Sequence, residues 1–145
     1  ETFISDQPEY NMLDRRAERE IVPCAQAYGL GILPFYPLAS GFLTGKYRAA
    51  ADTVKNRARG GDVEKYLNPK GFRILAALDQ AAEKTGGTPA QIALAWLMAQ
   101  PTVAACITSA TTIDQLEDLL GAAELQLDEA TLNDLSQAGS NKSRS

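Results

Sequence analysis

Short apolar runs alternate along the chain with stretches in which apolar residues recur every three or four positions. This alternation predicts strands and helices in turn. Residues 2–4 are β-rich and closed by Asp6-Gln7-Pro8, which predicts a first strand. Over 14–28, Ala17, Ile21, Cys24 and Ala25 fall on one helical face. That reading puts Cys24 in the core and Pro23 at a kink or joint, with Gly29 and Gly31 ending the helix. Residues 32–36 form an unbroken apolar run, as in strands buried on both faces of a parallel sheet. Residues 37–47 read as an ordered loop and 48–67 as a long polar loop of the kind that carries function. A helix is expected over 69–84, with Phe72, Leu75, Leu78 and Ala82 on one side. Thr88-Pro89-Ala90-Gln91 is a capping box opening a helix through Ile92, Ala95, Trp96 and Ala99, stopped by Pro101. Trp96 is expected to anchor that helix in the core. Residues 103–107, with Cys106 among them, read as a third buried strand. Thr112 and Gln115 read as a second capping box, for a helix with Ile113, Leu116 and Leu120 on one face. Asp128 caps a last helix through Leu132 and Leu135, and 139–145 is a polar tail.

Strands alternating with helices predict an α/β fold with parallel strands. Three strands make a thin sheet with open edges, which invite association. Such a chain is either a small three-strand domain or the last part of a larger barrel. The start at Glu1, without a basic-then-apolar leader, runs into a strand already under way, and the expectation is a fragment.

Composition narrows the chemistry. The chain has 145 residues, 45% of them hydrophobic and 22% charged, with net charge -4. This balance suits one globular domain and disfavours nucleic acid as a partner. No apolar run is long enough to span a membrane. The two cysteines, Cys24 and Cys106, lie far apart, which suits a reducing, cytoplasmic setting and argues against a disulfide scaffold or a thiolate metal site. There is no histidine, so His-ligated metals, Ser-His-Asp triads and His acid–base catalysis are excluded.

Three segments stand out together: Gln7-Pro8-Glu9-Tyr10-Asn11-Met12-Leu13-Asp14-Arg15; Phe35 to Tyr47, with Pro37-Leu38-Ala39-Ser40-Gly41 followed by Leu43-Thr44-Gly45-Lys46-Tyr47; and Ile107 to Asp118. In this order and spacing they resemble the C-terminal portion of the aldo-keto reductases, above all bacterial members and potassium-channel β-subunits. The resemblance implies a TIM (β/α)8 barrel of which residues 1–138 form the C-terminal part, about strands six to eight. It implies an oxidoreductase using NADP, with NAD as the alternative, on a small carbonyl substrate.

The same resemblance implies site roles. Gln7 would bond the nicotinamide carboxamide, and Phe35 would lie against the nicotinamide face. Tyr36, Pro37, Leu38, Ala39 and Ser40 would line the pyrophosphate. Lys46 and Arg57 would supply cations to phosphate or adenine. Ser109, Ala110 and Thr111 would cradle phosphate at a helix N-terminus, and Gln115 and Asp118 would reach the adenosine. On the residues alone, Phe35 and Tyr36 in an apolar run are more often core than cofactor contacts, which the resemblance reverses for Phe35, and Lys46 to Arg59 fits a solvated loop. The family often has Asn where this chain has Leu119, and some members carry Lys or Arg at Ser109 and Gln115. The family's catalytic Asp, Tyr, Lys and His come from earlier strands, so no catalytic residue is assigned and the chain alone is expected to be inactive. A non-catalytic nucleotide-binding or regulatory subunit, or an inactive fragment, is the alternative. Self-association through open barrel edges is expected.

Overall fold

Backbone pairing sets where the first strand lies. The computed structural model describes residues 2–49, 52 and 60–140. Strand β1, Ser5–Asp6, pairs in parallel with β2, Gly31–Ile32, with Ser5 opposite Gly31. The apolar residues 2–4, read from the sequence as the strand, precede the paired positions and are exposed. Gly31 opens β2 instead of ending the preceding helix. A Cβ there would meet Ala104 Cβ at 3.4 Å, so a small residue suits this crossing.

The third extended segment runs along the other side of β2 but forms only one bridge, Ile32 to Val103. Ile32 N–H donates to Thr102 O at 2.8 Å, and Ala104 N–H donates to Ile32 O at 2.9 Å. The next rung needs an N–H from residue 34, and Pro34 has none. The register then slips, and Ile107 N–H reaches Pro34 O at 2.9 Å. Pro34 thus explains why 103–107 is extended without becoming a regular strand.

The stretch read as one helix over 14–28 is a 3₁₀ turn, Arg16–Glu18, followed by α1, Ile21–Tyr28. Pro23 causes no kink. It lies in the first turn of α1, where N–H groups have no intrahelical partner. Val22 and Ala25 are the buried residues of this short helix, and Cys24 is exposed rather than in the core. Helix α2, Pro69–Thr85, begins at Asn68, whose side chain accepts from Gly71 N–H at 2.9 Å. Its buried side is Ile74, Leu75, Leu78 and Ala81, while Phe72 is exposed. Helix α3, Pro89–Met98, carries the expected capping box and is buried from Ile92 to Leu97. A helix apolar all round belongs inside, and Trp96 is fully buried at the centre of the cluster. Asp128 caps the last helix, α5, Glu129–Ala138.

Helix α4, Ile113–Gly121, has no buried residue. Its apolar face is turned outward, with Ile113 73%, Leu116 48% and Leu120 62% exposed. Phe3, Ile4 and Ile107 are exposed too. Apolar area thus lies open along both edges of the thin sheet. Residues 141–145 of the polar tail lie outside the described residues. No described helix is long and apolar enough to cross a membrane.

Ionisable groups define a pH window. Hydrogen bonds from Arg16, Arg48 and Lys84 hold Asp14, Asp79 and Asp128 below the ordinary carboxylate value. Burial, and then the facing Glu18, pushes the Tyr10 phenol up. A lowered carboxyl pKa adds stability above the unfolded value of about 4 and loses it as pH falls. A raised phenol pKa leaves stability intact below about pH 10 and erodes it as pH rises. The melting temperature is therefore expected to be level from about pH 5 to 9 and to fall on both sides. Thermal melts across pH check this, and a melting temperature unchanged down to about pH 2.5 would contradict the carboxyl part.

Candidate functional site

The parallel register brings three chain reversals to one edge. Leu33 N–H donates to Asp6 O at 2.9 Å, and Phe35 N–H donates to Pro8 O at 3.0 Å. The pairing runs on to a bridge between Glu9 and Phe35, and with Ile107 paired to Pro34 the chain leaves the sheet after Glu9, at Phe35 and just after Ile107 on the same side. This is the carboxyl edge, where open and closed parallel sheets place ligands.

Gln7 is exposed there, and its backbone N–H donates to Asp6 Oδ1 at 2.8 Å. Its side-chain amide holds no partner among the described residues. Phe35 is half-buried and meets the exposed Tyr36 edge-on, with ring centroids 5.3 Å apart at 68°. Consecutive residues of a regular strand point to opposite faces. The two rings meet because Tyr36 leaves the strand conformation, at φ 52°.

The turn that follows is strained. Tyr36, Ala39 and Ser40 have φ of 52°, 50° and 57°, and Gly41 follows at 92°. Each non-glycine residue in the left-handed region costs about 1–3 kcal/mol and persists only where its surroundings over-determine it. Pro37 and Ala39 are buried, and Leu38 and Ser40 are half-buried. The 3₁₀ turn Ala39–Thr44 is closed by Gly41 N–H to Leu38 O at 3.0 Å and Leu43 N–H to Leu38 O at 3.2 Å. Thr44 Oγ1 donates to Gly41 O at 2.7 Å.

Lys46 folds back onto this turn. Its Nζ lies 5.1 Å from the Tyr47 ring centroid, and Cε and Nζ both come within 3.4 Å of where a Cβ on Gly41 would sit. Tyr47 itself is fully buried, and its hydroxyl has no hydrogen-bond partner among the described residues. Arg57, the other expected cation, lies outside the described residues, as do Lys55 and Arg59.

The third reversal differs from its sequence reading. Thr112 Oγ1 accepts from Gln115 N–H at 3.2 Å, which is the first half of a capping box. The second half is redirected: Gln115 Oε1 accepts from Thr111 N–H at 3.0 Å and from Thr111 Oγ1 at 2.9 Å. Gln115 therefore closes one N–H of the expected phosphate cradle. The N–H groups of Ser109 and Ala110 hold no partner among the described residues. Asp118 faces the start of α3, where its Oδ1 accepts from Thr88 Oγ1 at 2.8 Å, and its backbone oxygen accepts from Gln91 Nε2 at 2.9 Å. Below the rim, burial pushes the Cys106 thiol up to about 12, which leaves it inert at neutral pH.

One residue of consequence lies in the first motif segment but is given no role by it. Asn11 is fully buried, and its Nδ2 donates to Tyr36 O at 3.0 Å. A buried polar side chain two residues after Glu9 could have been found only from its pairing.

The profile of the aldo/keto reductase family matches residues 2–139. An uncharacterized oxidoreductase of Bacillus subtilis, YrpG, is 32% identical over 90% of this chain and 38% of its own length. A probable voltage-gated potassium channel subunit beta of Arabidopsis thaliana is 36% identical over 84% of this chain and 39% of its own. The crystal structure of a thermostable aldo-keto reductase in complex with the inhibitor epalrestat superposes with a TM-score of 0.70 at 27% identity, over 95% of this chain and 40% of that one. The chain thus spans well under half the length of the relatives it matches.

Proposed function

Because the chain belongs to the aldo/keto reductase family, whose members are oxidoreductases that bind a nicotinamide cofactor, we propose that it forms the cofactor-binding part of a reductase barrel and holds NADP. In this reading its three extended segments are the sixth to eighth strands, and the whole protein reduces aldehydes or ketones in the cytoplasm. The observation that carries the reading is the shared carboxyl edge, where Gln7 near the end of the first strand, the strained 36–41 turn with Lys46, and Ser109-Ala110 lie at the same end of the three extended segments.

The donor set fits a dinucleotide. Lys46 brings a cation to the turn, and Ser109 and Ala110 offer free N–H groups to an anionic diphosphate. Gln7 offers an amide to the carboxamide, and Phe35 a ring to the nicotinamide. Gln115, occupied with Thr111, contributes its remaining N–H groups. Asp118 would have to release Thr88 to meet the adenosine. The bound nicotinamide supplies the hydride. The chain has no histidine, and no residue in it is assigned a catalytic role. A second reading, a nucleotide-binding regulatory subunit, draws on the Arabidopsis relative. The open apolar face of α4 and the exposed Phe3 and Ile4 support self-association of the isolated chain.

Titration calorimetry with NADPH on the 145-residue chain tests the proposal. One NADPH is expected to bind per chain, and Lys46→Ala is expected to weaken it about tenfold or more, as for a lost hydrogen bond to a charged group. Aldehyde reduction is expected to be absent in the same samples. No heat at about 1 mM NADPH, a weak affinity near -4 kcal/mol, would reject the cofactor role.

A further inference from the structure

We infer that Asn11 is a positioning residue that joins the 8–14 and 35–41 loops into one unit and fixes the left-handed turn at Tyr36. Its bearing on ligand binding rests on the cofactor reading above. Asn11 is fully buried yet polar, and its side-chain oxygen and one hydrogen of its amide are hydrogen-bonded. Oδ1 accepts from Leu13 N–H and from Asp14 N–H, both at 2.9 Å, which closes a tight turn in the first loop. Nδ2 crosses to the second loop and donates to Tyr36 O at 3.0 Å. Among the described residues, this is the only side-chain hydrogen bond that reaches the backbone of 36–40 from outside the turn.

The site of attachment matters. Tyr36 is the first of the turn's three non-glycine residues with positive φ, and its carbonyl also accepts from Ala39 N–H at 3.0 Å. A carbonyl held from two sides cannot rotate as it would in a relaxed strand end. The turn therefore stays strained, and the edge-on meeting of Phe35 with Tyr36 follows from it. The task requires a short planar group that donates and accepts at once. Leu offers neither, and an ionised Asp would set oxygen against the Tyr36 carbonyl. A pre-set turn binds a ligand without the loss of affinity that ordering a loose one brings.

Hydrogen exchange on the isolated chain tests this. In the unaltered chain, the amides of Leu13 and Asp14 and that of Ala39 are expected to open together, within about threefold of one another, because one side chain joins them. In Asn11→Ala, the Ala39 and Gly41 amides are expected to exchange about tenfold faster or more, with Leu78 and Leu97 changed less than about twofold. NADPH affinity is expected to fall about tenfold. Opening rates that differ by more than about tenfold in the unaltered chain would overturn the inference, and so would Asn11→Ala speeding all amides alike. If Asn11→Ala does not fold, the comparison in the unaltered chain decides. Should NADPH fail to bind while the loops open together and Asn11→Ala frees them, the cofactor reading fails and the positioning role stands.

Discussion

Trp96→Ala is expected to lower stability by about 3–5 kcal/mol, close to the full stability of a marginal domain. The indole is fully buried and does several things at once. Its Nε1 donates to Ser136 Oγ at 2.9 Å, tying α3 to α5. Tyr10 meets it edge-on at 6.2 Å and 73°, and the Arg15 guanidinium lies 5.4 Å from its centroid. Arg15 in turn donates to Ser136 O at 2.7 Å and pairs with Glu18 at 2.7 Å, and Glu18 accepts from the Tyr10 hydroxyl at 2.9 Å. The residues after β1 are thus held to two helices through one ring. Removing the ring opens a large cavity and leaves the Ser136 hydroxyl short of a donor. Trp96→Phe keeps most of the apolar contact and is expected to cost about half as much. Urea unfolding followed by far-ultraviolet circular dichroism measures both. A loss under about 1 kcal/mol for Trp96→Ala would show that the joint is not central to the fold.

That Trp96 is an anchor was legible in the sequence, because the capping box at Thr88 and the unbroken apolar content of α3 both point to a buried helix. The limits of legibility have physical causes. Periodicity located α1 but turned Cys24 the wrong way, since eight residues give too few repeats to fix a face. It found the apolar face of α4, while only the tertiary arrangement shows that face open. Pro34 lies within the apolar run 32–36, but its effect, a missing rung and a slipped register, depends on which side of β2 the third segment lies. At the site, residues carried by motif (Gln7, Phe35, Ser109) lie toward the same end of the three extended segments. Side-chain choices among near-equal partners did not follow the motif: Gln115 takes Thr111 rather than Thr112, and Asp118 takes Thr88. Asn11 illustrates the remainder, a contact across 25 residues that no local pattern encodes.

Gly71→Ala is expected to destabilise the chain by about 2 kcal/mol or more, against the roughly 1 kcal/mol that alanine gains over glycine within a helix. A Cβ at Gly71 would lie 1.9 Å from Tyr66 O and 3.0 Å from Phe42 Cζ. The Tyr66 carbonyl cannot swing aside freely, because Asn68 N–H donates to it at 2.8 Å and the Asn68 side chain caps the same helix through Gly71 N–H. Phe42 is pinned as well, fully buried with its ring 5.6 Å from that of Tyr66. Relief must come from moving either the start of α2 or the Ala39–Thr44 turn that Phe42 belongs to. The second route disturbs the 36–41 backbone, so NADPH affinity is expected to fall with stability. Gly86→Ala is the internal comparison. Gly86 has φ 77°, but a Cβ there meets nothing within 4 Å, so its cost is conformational alone, about 1–2 kcal/mol, and the site should be untouched. Urea midpoints and NADPH calorimetry on the two variants separate the cases. Equal loss of stability with unchanged NADPH binding in both would mean that the contact between Gly71 and Phe42 does not support the turn.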